Sequence, residues 1–111
     1  MGTLERSVVT ELVVREALAT VTDPEYAISI VDLGLIYEVQ PTADGRWRIT
    51  MTFTSIGCPA MEMIIEDVRE AVRKVREVRE VEVEVVWSPA WTRDRISPAG
   101  KRILAMYGVA A

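Results

Sequence analysis

Two stretches of this chain change character at every residue, and that alternation restricts the fold more than any other feature. Trp47, Ile49, Met51 and Phe53 are apolar, and the Arg48, Thr50, Thr52 and Thr54 interleaved with them are polar. Further on, Val81, Val83, Val85 and Trp87 alternate with Glu80, Glu82 and Glu84. Successive side chains of a β-strand point to opposite faces, so each stretch reads as a strand with one apolar and one wet face. A sheet of such strands packs helices on one side and gives the other to water.

The remaining segments supply those helices and one more strand. Leu35–Gln40 reads as a strand, and Asp44-Gly45 in the loop 41–45 is a hairpin signal leading to the return strand 47–54. A first helix is expected over about residues 5–21, with Val8, Leu12, Val14, Ala17, Leu18 and Val21 near helical spacing. It stops at Thr22-Asp23-Pro24-Glu25, because proline keeps the residue before it out of helical conformation. A second helix is expected from Pro59, with Met61, Ile64, Ile65, Val68, Ala71, Val72 and Val75 as its apolar stripe. Ser97 then caps a last short helix, with Pro98 at its first position and Gly108 near its end. The expected fold is α+β. It is one two-layer domain across the 111 residues, with a small mixed three-stranded sheet and helices on one face in the order α-β-β-α-β-α.

The chain has one cysteine and no histidine. That excludes an internal disulfide, a Cys-His or Ser-His nucleophile pair and a closed Cys/His zinc site within one chain. A net charge of −4 argues against nucleic acid, which demands a basic footprint. Residues 1–6 lack the apolar stretch of a signal peptide, and no run nears the ~20 apolar residues of a membrane span. The expected setting is the cytoplasm, away from membranes.

The one thiol is therefore the chief candidate for chemistry. Pro59 suits a first helical position, which places Cys58 at the N-cap, where the helix dipole and unpaired N–H groups favour the thiolate. Gly57 lets the backbone turn before it. The alternative is a buried, inert cysteine. Asp23 and Glu25 around Pro24, and Asp32 before Leu33-Gly34, read either as turn formers or as an acidic rim around the thiol. Thr54 stands close enough in sequence to support the cysteine loop. Trp87 and Trp91 read as core and loop anchors, and Glu80, Glu82 and Glu84 as a solvated face rather than a metal site.

Several segments together resemble a known family. They are Val21-Thr22-Asp23-Pro24-Glu25, Ile30-Val31-Asp32-Leu33-Gly34-Leu35-Ile36-Tyr37, Thr52-Phe53-Thr54-Ser55-Ile56-Gly57-Cys58-Pro59 and Val81 through Thr92. The pattern is similar to the PaaD/SufT-like metal–sulfur cluster biosynthesis family over about residues 8–108. The resemblance implies a cytoplasmic role in assembling or delivering iron–sulfur clusters. It implies a fold like the C-terminal assembly domain of NifU-type scaffolds. It places the family's cysteine on Cys58 and its acids on Asp23, Glu25 and Asp32. The implied partners are the iron–sulfur assembly machinery and client apo-proteins.

Clusters held by cysteines usually take about four thiolates. One chain offers one, and a homodimer, which this reading leaves open, would add only one more. Iron or cluster is therefore expected as transient cargo, with none stably bound by the monomer. The role is binding and transfer rather than turnover. Three alternatives stand beside it. One is a thiol-dependent enzyme. Another is an accessory factor of a phenylacetate-degrading oxygenase. That sub-reading is weaker, because its members carry a cysteine-rich C-terminal extension and residues 106–111 here hold no cysteine. The third is an interaction module whose cysteine is structural.

Overall fold

A computed structural model describes residues 3–24, 28–54 and 60–108, with side chains from residue 9 onward. Helix α1 (Thr3–Ala19) leads to strand β1 (Ile36–Ala43), which returns through Asp44-Gly45 as β2 (Arg46–Met51). Helix α2 (Met61–Arg73) crosses to β3 (Glu80–Val85), and a 3₁₀ turn (Arg93–Arg95) precedes helix α3 (Pro98–Met106). The sheet order is β1-β2-β3, with β1 antiparallel and β3 parallel to β2, so the sheet is mixed. The α+β architecture is the one the alternation implied.

The core forms where the one-faced strands meet the helical stripes. Trp47, Ile49 and Met51 of β2 and Val81 of β3 are buried with Val14 and Leu18 of α1 and Ile64, Val68 and Val72 of α2. The opposite sheet face carries a charge ladder. Arg46 bridges Glu80 at 3.0 Å, and Arg48 bridges Glu82 at 3.0 Å and Glu84 at 3.8 Å. The side-chain hydrogen bond and charge of Glu82 hold the Arg48 guanidinium above its ordinary pKa. The glutamates are thus a solvated, ion-paired face.

The observed elements depart from expectation at their ends. β1 continues through Pro41 and Thr42, where the sequence predicts a loop. An edge strand tolerates proline, and the ladder shifts register between Pro41 and Ala43. β2 ends at Met51 rather than at residue 54, and Thr52 is buried rather than on the wet face. β3 ends at Val85, leaving Trp87 40% exposed and tilted against Phe53 with ring centroids 6.4 Å apart. Leu12, expected in the apolar stripe of α1, is 58% exposed whereas Val14 is fully buried. Residues two apart on a helix lie about 200° apart around its axis, so both cannot face one core. Finally, α2 begins at Met61 and its flanking N-terminal residue is Ala60, in helical conformation without a side-chain cap. The N-cap expected at Cys58 lies outside the described residues.

Candidate functional site

The start of β1 and the ends of β2 and β3 meet at one end of the sheet. Ile36 pairs with Met51, and Met51 pairs with Val85. The Thr52 N–H donates to Leu35 O at 2.8 Å, and the Val86 N–H to Met51 O at 2.8 Å. The described segments 20–24, 28–35, 52–54 and 86–97 adjoin this end. Of the residues that the sequence nominated for the site, they contain Asp23, Asp32 and Thr54.

Thr22 and Asp23 lie in a short antiparallel pairing with Ile28 and Ser29. Thr22 bridges Ser29, Ile30 N–H donates to Val21 O at 2.9 Å, and Asp23 N–H donates to Ile28 O at 2.8 Å. Asp23 is half-buried in this pairing. Glu25, Gly57, Cys58 and Pro59 lie outside the described residues. Thr54, the last described residue before the cysteine loop, is exposed.

Asp32 sits in the turn that follows, and its surroundings are well defined. Its carboxylate Oδ1 accepts the Ser97 hydroxyl at 2.7 Å, and its backbone carbonyl accepts the Ser97 N–H at 2.8 Å. The Ser97 Oγ in turn accepts the Gly100 N–H at 3.0 Å, which caps α3 as expected. Neighbouring residues of the turn are fastened to the same distant segment. Trp91 Nε1 donates to Leu33 O at 2.7 Å, and Tyr37 OH donates to Pro89 O at 2.7 Å. The Arg95 guanidinium carbon stands 4.1 Å from the Tyr37 ring centroid, a cation–π contact. Gly34 has φ +75°, and a Cβ there would fall 2.3 Å from Arg95 O, so glycine is required on both counts. Trp91 is thus the loop anchor expected of it. Asp32 is a structural tie as well as a candidate acid.

Two features were missed in the sequence. One is the tie from Asp32 to Ser97, for which no local pattern exists. The other is Thr52, which is 1% exposed and whose Oγ1 has no hydrogen-bond partner among the described residues. Among the described residues no group of three or more carboxylates, cysteines or histidines gathers to hold a metal ion. No helix among them is long and apolar enough to cross a membrane.

The arrangement is that of a small mixed sheet with the Asp32 turn and the segment 86–97 tied together at one end. A family model described as "Iron-sulfur cluster assembly protein" matches residues 11–85. The chain belongs to that family. It is 46% identical over 90 residues to the Fe-S protein maturation auxiliary factor YitW of Bacillus subtilis, covering 81% of this chain and 88% of that protein. It is 42% identical over 86 residues to the Fe-S protein maturation auxiliary factor SufT of Staphylococcus aureus, covering 78% and 98%. Its fold is similar to the crystal structure of a domain of unknown function from Bacillus anthracis. The TM-score is 0.88 at 39% identity, covering 94% of this chain and 99% of that one.

Proposed function

We propose that this chain is an iron–sulfur protein maturation factor. In this reading it handles iron or a cluster transiently through Cys58 and passes it to client apo-proteins in the cytoplasm. The observation that carries the reading is the family match over residues 11–85, a span that contains the only thiol in the chain. The names of the relatives support the same role. With no histidine to serve as a base, turnover chemistry at the thiol has little support, and binding and transfer fit better. The ligands that one chain lacks would come from small thiols, from a second copy or from the client itself.

In this reading Asp23, Glu25 and Asp32 assist the thiol as acids, and Thr54, Gly57 and Pro59 shape its loop. Asp32 spends one carboxylate oxygen on Ser97, so only the other is proposed for a cation.

The test is reconstitution. Protein purified anaerobically and supplied with iron and sulfide is expected to develop visible absorption, and Cys58→Ser, with its fold verified by circular dichroism, is expected to lose it. Undiminished absorption in Cys58→Ser would remove the thiol from the mechanism and favour an interaction module.

A further inference from the structure

β3 is paired along one side only, since it ends the sheet order β1-β2-β3. The Glu80 N–H donates to Gly45 O at 3.1 Å and the Val86 N–H to Met51 O at 2.8 Å, both toward the hairpin. Backbone groups along a strand turn alternately to its two sides. Glu82 and Glu84 therefore also face β2, and Val81, Val83 and Val85 turn their N–H and C=O groups to the outer edge. Among the described residues no strand pairs with that edge.

The two faces beside the edge differ in charge. On the open face stand Glu80, Glu82 and Glu84, with Arg46 and Arg48 against their inner side. On the helix face, Val81 is buried, Val83 is half-buried, and beside them stand Arg69, paired with Glu66 at 3.1 Å, and Arg73 of α2; these residues line part of a groove of about 680 Å³ that also reaches Arg46, Arg48, Glu80 and Glu82.

This asymmetry selects what fits. Opposite charges on adjacent strands stabilise and like charges oppose. A strand laid along the edge is favoured when lysine or arginine lies over the glutamates and apolar residues lie over the valines. A slip by one residue would set its bases against Arg69 and Arg73 and its apolar residues against the glutamates. A second copy of β3 is disfavoured, because pairing would bring the glutamates of one copy beside those of the other. β2 already shows that the pattern works, since Arg46-Trp47-Arg48-Ile49 alternates base and apolar residue against the inner edge of the same strand.

We propose that the outer edge of β3 is a strand-addition site for an extended partner segment that alternates basic and apolar residues. The site stands on the sheet and its charges and does not depend on Cys58. The probe is a short end-blocked peptide alternating lysine and valine, titrated into isotope-labelled full-length protein and followed by amide chemical shifts. Saturable shifts are expected at Val81, Val83 and Val85. A glutamate–valine peptide, and a peptide of the same lysine–valine composition in two blocks, are each expected to bind at least about tenfold more weakly. Val83→Pro deletes an outward N–H while leaving the β2 pairing, and is expected to weaken binding about tenfold. Glu84→Lys leaves the backbone intact and is expected to do the same, so the proposal stays testable if Val83→Pro fails to fold. Absence of binding, equal binding of the block peptide, shifts centred away from β3, or indifference to Glu84→Lys would overturn it.

Discussion

Thr52 shows what a buried hydroxyl costs when nothing bonds to it. Its Oγ1 gives up water and gains no partner among the described residues, although its backbone N–H is satisfied by Leu35 O at 2.8 Å. Thr52→Val keeps the shape and removes the unmet group, so we expect it to stabilise the fold by about 1 kcal/mol. A rise in the urea midpoint with unchanged slope checks this. Strict alternation put Thr52 on the wet face, and it failed there because β2 has already ended at Met51 and the chain leading into β1 closes over the next residue. Asp32 and Ser97 give a second residue-level prediction. Ser97→Ala loses the cap of α3 and is expected to cost about 1 kcal/mol. Asp32→Ala is expected to cost a similar amount through the same bond, and the double variant clearly less than the sum of the two. A double-mutant cycle with additive effects would show that the two side chains are not coupled.

At the scale of elements, legibility followed the quality of the repeat. The stripe of α2 was clear, and Ile64, Val68 and Val72 are its buried residues. Ile64→Ala is accordingly expected to cost about 2–5 kcal/mol in chemical denaturation. α1 carries apolar residues on all sides, so its spacing could not say which side faces inward. Leu12→Ala is expected to change stability by no more than about 0.5 kcal/mol, because the side chain is 58% exposed. Strand ends were misplaced for a different reason. Where a strand stops depends on its partner's register, as with β1 running through Pro41 opposite Trp47, and that information lies in another segment.

The whole molecule was legible in outline and not in its long-range ties. The layer order followed from one-faced strands and amphipathic segments. The single cysteine could be named from composition, and the motifs around it from their residues. What fastens the Ile30–Tyr37 motif could not be read, since its partners lie 52, 58 and 65 residues away and leave no periodic trace. The charged sheet face bears on pH at this scale. Arg48 is held above its ordinary pKa, so its contribution is complete below that ordinary value and is lost only as pH rises through the raised one. Stability is therefore expected to show no Arg48-dependent step across neutral and mildly alkaline pH, which wild type and Arg48→Gln compared by thermal melts would reveal.

The fastening of Ile30–Tyr37 also sets a timetable. A ribosome completes that stretch well before it has made Pro89, Trp91 and Ser97, the residues that grip Tyr37, Leu33 and Asp32. Closing such distant contacts waits for the far segment to exist and then for the loop between to be spanned. The nascent chain thus emerges with its acidic turn held by local hydrogen bonds alone, and gains the distant ties only after Ser97 has been made. A product truncated before Trp87 would carry Cys58 and each acid nominated beside it, and lack the grip on the Asp32 turn.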